Sequence, residues 1–231
     1  SNPAKVHIDQ PDLPVYSSPE ELFSCADIDL VVIPTPNETH FPLAAAALAA
    51  GKHVVLDKPF TLTTDEGKEL IKLAQQCDRQ LSVFHNRRWD SDFLTLQKVL
   101  REGSLGRVTH FESHFDRYRP EVQTRWRESA ALGGGLWFDL GLDLLDQALQ
   151  LFGTPKTMWL DLAQQRDGGV ADDWFHAVLG YDEMRVILHG SALVANPGPR
   201  MTVHGTSGSF TKFGLDTQEN ALKSGQQPGI P

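Results

Sequence analysis

Val31-Val-Ile-Pro-Thr-Pro-Asn-Glu-Thr-His40, followed by Gly51-Lys-His-Val-Val-Leu-Asp-Lys-Pro59, is the stretch that decides the fold. Asp29–Pro34 is a nearly continuous apolar run, the form a buried parallel strand takes. The helix that follows starts near Pro42, is almost all alanine and leucine, and stops at Gly51. A helix apolar on so many sides has to be buried, here against a sheet. His53–Leu56 is the next strand. Both strands end on polar residues, Thr35-Pro36-Asn37 and Asp57-Lys58-Pro59. Ligands of open α/β sheets bind beyond the carboxyl ends of the strands, so the two ends point to one shared site.

Working outward, Leu13-Pro-Val-Tyr16 reads as a short edge strand. Ser18 caps a helix with Pro19 at its first position. Thr63-x-x-Glu66 is a capping box for a helix reaching about Cys77. Leu81–Phe84 is a third strand, ending in His85-Asn86-Arg87-Arg88-Trp89. This βαβαβ alternation predicts a parallel sheet with right-handed crossovers. Beyond a helix at about 91–102 and the turn Gly103–Gly106, the pattern changes. Val108–Asp116 is a long strand, and a helix at about 137–152 closes on Gly153 and Pro155. Strands then fall near 157–165, 173–181, 184–194, 200–204 and 209–213, separated by Gly, Asp and Pro turns. The fold class is α/β. A partial doubly wound, Rossmann-like parallel sheet (1–105) precedes an α+β domain (106–231) with a mostly antiparallel open sheet. The tail Lys223–Pro231 has few core-forming residues and is expected to be mobile.

Composition narrows the function classes. With 231 residues, 40% hydrophobic and 22% charged, the chain has an ordinary globular composition. A net charge of −9 argues against nucleic acid. No apolar run reaches a membrane span, and no signal segment opens the chain. Cys25 and Cys77 read as free thiols in a reducing cytoplasm.

Prolines fix φ, so the Thr35–Asn37 loop can meet a ligand at low entropic cost, with Thr35 and Asn37 offering neutral hydrogen-bond partners. The alternative is a plain turn in which Asn37 or Thr39 caps the next helix. Lys58 at a strand end can polarise a substrate hydroxyl and favour the developing alkoxide. Asp139 and Asp143 are i, i+4 on a predicted helix and share a face; an exposed acidic face is the alternative. Arg117, Arg119, Arg125 and Arg127, with Trp126, make either a solvated loop or a lid over an anionic or polyhydroxy substrate, in which Trp126 and Arg127 would touch the substrate. His110, Glu112, His114 and Asp116 alternate on one strand face. They are metal-ligand types, but such stripes are mostly solvated or oligomer-facing, so no metal is assigned.

The strand-end motifs resemble those of the Gfo/Idh/MocA family of NAD(P)-dependent sugar and cyclitol oxidoreductases. The resemblance implies that Thr35-Pro36-Asn37-x-x-His40 lies along the cofactor, and that Asp57-Lys58-Pro59 stands for the family's Glu-Lys-Pro, with Lys58 catalytic. Asn86 and Arg88 would line the nicotinamide side. After Gly133-Gly-Gly, Asp139 matches the family's aspartate, but Asp143 stands where relatives carry histidine. Histidine titrates at about 6.5 and an unperturbed aspartate at about 3.9. Asp143 is therefore a substitute acid/base, or it marks an altered substrate or lost hydride transfer.

The implied reaction is hydride transfer with NAD or NADP at a secondary alcohol of a sugar, cyclitol or related small polyol. Lys58 would polarise the hydroxyl and Asp139 would orient the substrate or its proton acceptor. A homodimer or higher even oligomer is implied, with no nucleic-acid or membrane partner. The alternative is a non-catalytic cofactor or sugar sensor, or an inactive fragment, on the same fold. The family's Gly-x-Gly-x-x-Gly fingerprint is absent from this sequence. The chain is thus expected to match an interior portion of a longer enzyme, with the Asp29–Pro34 strand presenting an apolar edge.

Overall fold

The computed structural model describes residues 10–226. They divide into two compact units between Phe84 and His85. The change of pattern near residue 105 falls inside the second unit, because the helix before it lends Leu96 to that unit's core.

In the first unit, α1 (Pro19–Ser24) is capped by Ser18, whose side chain accepts from the Glu21 N–H. β1 (Leu30–Ile33), β2 (His53–Asp57) and β3 (Leu81–Phe84) pair in parallel in the order β1-β2-β3. α2 (His40–Ala49) links the first two, and α3 (Thr64–Gln76) the second two, with the Thr63–Glu66 capping box formed. Alternate strand residues Val31, Ile33, Val54 and Leu56 are buried with Ala44, Ala47, Leu48, Leu70 and Ala74 of the helices. Burial of this apolar face is the main force holding the layer together. Leu30 and Val32 on the end strand β1 are 49% and 59% exposed, so β1 is not covered on both faces. Leu13–Tyr16 is not a strand. Pro14 has no N–H to give a ladder, and Leu13 and Val15 remain exposed.

The second unit opens with a 3-10 turn at Asn86–Trp89 and α4 (Ser91–Arg101). Its sheet contains β4 (Val108–Asp116), β5 (Thr157–Ala163), β6 (Trp174–Gly180), β7 (Arg185–Ser191), β8 (Met201–Gly205) and β9 (Ser209–Lys212). The order is β5-β6-β7-β4-β8-β9, antiparallel throughout except for β4 and β7, which run parallel. Phe111, Phe115, Phe175, Ala177, Leu179, Val186, Leu188, Met201 and Val203 form the sheet's core face, under Leu144 and Ala148 of α5 (Leu142–Phe152). A π-helical turn, Trp137–Gly141, leads directly into α5. α6 (Gln218–Lys223) is a short helix that the pattern does not anticipate; it includes the first residue of the tail read as mobile. Residues 227–231 of that tail lie outside the described residues, as do residues 1–9. No helix among the described residues is long and apolar enough to cross a membrane.

Candidate functional site

In the first unit, one imidazole ties the two strand ends together. His40, at the start of α2 and 1% exposed, has Nδ1 2.7 Å from the Pro59 carbonyl oxygen and Nε2 2.9 Å from that of Thr35. Carbonyls only accept, so the ring nitrogen that carries the proton donates to its carbonyl, and the ring spans the loop after β1 and the loop after β2. Neither Pro36, at the N-cap of the 3-10 turn Asn37–Thr39, nor Thr39, at the N-cap of α2, makes a side-chain cap hydrogen bond. Instead the Thr39 hydroxyl donates to the Pro36 carbonyl at 2.7 Å and lies 2.5 Å from the Thr35 hydroxyl. Asn37 is buried and Thr35 half-buried. At the end of β2, Asp57 Oδ1 accepts from the Lys58 N–H at 2.8 Å, and the Lys58–Pro59 peptide is cis. Lys58 is half-buried.

These groups fit part of a nicotinamide dinucleotide. A hydroxyl, a buried amide and a half-buried ammonium at adjacent strand ends suit its ribose and nicotinamide side. The glycine loop that would hold its phosphates is not in this sequence.

In the second unit, the His85–Trp89 segment is anchored from within. Arg88 donates to both oxygens of Asp146 at 2.7 and 2.5 Å, and Gln147 donates to the Arg87 carbonyl at 3.0 Å. Asp146 and Gln147 both sit on α5, so the bidentate pair and the amide fix this segment to that helix. Phe115 carries three guanidinium groups near its ring, Arg200 at 4.1 Å, Arg87 at 5.6 Å and Arg117 at 5.7 Å. Arg200 is 5% exposed and donates to the Ser113 hydroxyl at 2.6 Å. Burial pulls its pKa down to about 10, against the opposing pull of Asp92 and Asp90. Asp143 is 2% exposed and belongs to the same buried charge network, acting on both Arg87 and Arg200.

Asp139 has other neighbours. It lies 3.3 Å from Arg127 and 3.9 Å from Arg117. Asp139 lies on the π-helical turn Trp137–Gly141 and Asp143 in the first turn of α5; the Asp139 side chain is 22% exposed, whereas Asp143 is buried.

The arginine loop is held rather than simply solvated. Glu128, with a side chain 9% exposed, accepts from Arg125 at 2.8 Å and lies 3.2 Å from Arg166. Burial raises its pKa, but the Gln123 N–H and the two arginines outweigh this and hold it low. Arg166 in turn donates to Asp173 at 3.0 Å. Arg127 stacks on Trp126 at 4.4 Å. Together Arg117, Arg125, Arg127 and Asp139 help enclose a cavity of about 30 Å³. Gly135 is required beneath it: its φ is +92°, and a Cβ there would lie 1.9 Å from Asp172. Asp172 accepts from the Trp137 N–H at 2.7 Å and so secures the start of the Asp139 turn. Burial raises the pKa of Asp172 in spite of that bond. The anchors Glu128, Arg166, Asp172 and Asp173 are not singled out by sequence; Arg166-Asp-Gly-Gly signals only a turn.

Comparison with known proteins agrees with this arrangement. Residues 1–85 match the family model described as "Oxidoreductase family, NAD-binding Rossmann fold", and residues 93–211 match "GFO/IDH/MocA C-terminal domain". The chain belongs to the Gfo/Idh/MocA oxidoreductase family. It is 58% identical over 98% of its length to "Uncharacterized oxidoreductase YdgJ" of Escherichia coli, covering 66% of that protein. It is 42% identical over 99% of its length to the scyllo-inositol 2-dehydrogenase (NADP(+)) IolW of Bacillus subtilis, covering 64% of it. The solved structure of yvaA from Bacillus subtilis superposes with a TM-score of 0.96 at 42% identity, over 100% of this chain and 66% of that one. The chain thus spans about two thirds of the length of the curated relatives it matches.

Proposed function

We propose that the protein acts as an NAD(P)-dependent dehydrogenase on a secondary alcohol of a cyclitol or related small polyol. The observation that carries this reading is the His40 bridge, which fixes the Thr35–Asn37 and Asp57–Pro59 loops to one another with Lys58 at their junction. The 42% identity to a scyllo-inositol dehydrogenase supports the substrate class. NAD or NADP, when bound, supplies the hydride acceptor or donor. Thr35, Pro36, Asn37, His40, Asp57, Lys58 and Pro59 are the residues proposed to hold it, with Asn86 and Arg88 as further candidates. Because Arg88 is engaged by Asp146, its part is to position the segment that carries Asn86. Lys58 polarises the alcohol and its charge favours the alkoxide. Asp139 orients the polyol, Trp126 and Arg127 contact it, and Asp143 takes the acid/base position. The free thiols Cys25 and Cys77 suit a cytoplasmic setting, and the open sheet face suits an even-numbered homo-oligomer.

The test is tryptophan-fluorescence quenching by NADPH and NADH, followed by absorbance at the nicotinamide band with scyllo-inositol, myo-inositol and an alcohol panel. Absence of cofactor quenching by the full-length protein removes the enzyme reading. The burial of Asp143 among arginines favours a second reading, a non-catalytic sensor. Cofactor binding without turnover, with activity appearing in Asp143→His, would support that one.

A further inference from the structure

The face of the second sheet that points away from its core carries a row of imidazoles. His114 on β4 and His189 on β7 are register partners, as are His189 and His176 on β6. Partners on adjacent strands project to the same side, so the three rings stand in line. Asp116, two positions along β4, faces two of them. Its Oδ2 is 3.5 Å from His114 Nδ1, and its Oδ1 is 3.6 Å from His189 Nε2. One donor atom from each of His114, Asp116 and His189 lies within 4.8 Å of the others.

Neither contact is a close hydrogen bond. A metal at about 2.1 Å from three donor atoms spaces them about 3.4 Å apart. One donor atom from each of the three residues lies within 4.8 Å of the others, a separation that small side-chain adjustments can close around an ion. The Asp116 side chain is only 9% exposed, and its Oδ1 accepts no hydrogen bond from any described residue. A buried carboxylate oxygen left in that state calls for a cation. The outer nitrogens of both histidines are engaged, as those of metal-bound histidines are. His114 Nε2 lies 3.3 Å from Glu112 Oε2, and His189 Nδ1 lies 3.4 Å from His176 Nδ1. The Trp174 and His189 rings pack edge to face with centroids 5.5 Å apart.

We propose that His114, Asp116 and His189 form a binding site for a divalent transition metal, Zn²⁺ foremost, with the fourth position open to water. Two imidazoles and one carboxylate select a borderline cation over Mg²⁺ or Ca²⁺, which take oxygen ligands. The metal cross-links the parallel pair β4 and β7. The alternating stripe on β4 is then a ligand set rather than a solvated surface.

The test uses untagged protein stripped with a chelator and titrated with ZnCl₂ or CoCl₂. Wild-type protein is expected to retain one equivalent of Zn²⁺ after desalting, to melt at a higher temperature with Zn²⁺, and to show the visible bands of tetrahedral Co²⁺. His189→Ala and Asp116→Asn are expected to lose the bands and the thermal shift. His204→Ala, whose ring stacks on His110 at 5.7 Å outside the triad, is expected to keep both. Far-UV circular dichroism of each metal-free variant checks that it folds. Wild-type protein that retains no metal and shows no Co²⁺ band overturns the proposal without any variant. So does a band and thermal shift that survive in folded His189→Ala.

Discussion

His40 Nδ1 sits 2.7 Å from the carbonyl oxygen of Pro59, across a span of sequence that includes all of α2 and β2. Replacing His40 with Ala removes the partner of this carbonyl and of the Thr35 carbonyl. Leaving buried acceptors unsatisfied costs about 1–3 kcal/mol each. His40→Ala is expected to lower the urea midpoint of unfolding and to weaken NADPH binding together. A variant with unchanged affinity would separate the bridge from the cofactor site.

Asp90 supplies a pH signature in the second unit. Burial raises its pKa to about 6; Arg87 pulls it down, and Asp92 and Asp216 push it further up. In the unfolded chain an aspartate titrates at about 3.9. Between those values the folded state holds the extra proton, so stability is lost as pH rises through the window. Asp90→Asn is expected to remove that loss. Urea midpoints of wild type and variant should diverge from pH 4 to pH 6.5, with the variant more stable at the upper end. Parallel curves would show that Asp90 titrates normally.

Arg200 is the cation at the centre of the buried network, facing Asp92, Asp90 and Asp143. Removing one partner of a buried charge group costs about 3–5 kcal/mol, because the remaining charges stay buried. Arg200→Met keeps much of the volume and is expected to lose an amount of this order in denaturant unfolding. A loss below about 1 kcal/mol would mean that solvent reaches the carboxylates.

Gly135→Ala tests the support beneath Asp139. The φ of +92° and the clash with Asp172 both oppose a side chain. The variant is expected to fold with reduced stability and to raise KM for the polyol more than it lowers kcat, since the displaced group positions Asp139 indirectly. An unchanged KM would place Asp139 outside the substrate contacts.

The elements best read from sequence were those whose signals are local. β3 and β4 fall where the strand patterns place them, and the Thr63–Glu66 capping box forms as its spacing predicts. What local pattern could not supply was long-range. The parallel pairing of β4 with β7 depends on partners far apart in the chain. The π turn at Asp139 arises where Trp137 packs edge-on against Phe175 of β6, a contact invisible in the helical spacing. The site was legible in part for the same reason. Lys58 and Asn37 announce themselves at strand ends. Glu128, Arg166 and Asp173 matter only because folding brings them together.

The place of β4 in its sheet also governs when the sheet can form. Val108–Asp116 pairs on one side with Arg185–Ser191 and on the other with Met201–Gly205. During synthesis this strand emerges with neither neighbour yet made, and it must wait for residues up to 205 before its ladder closes on both sides. Contacts so distant in sequence slow folding and lengthen the life of unpaired intermediates. For the second unit, the vulnerable species is the nascent chain that has released β4 but not yet β8.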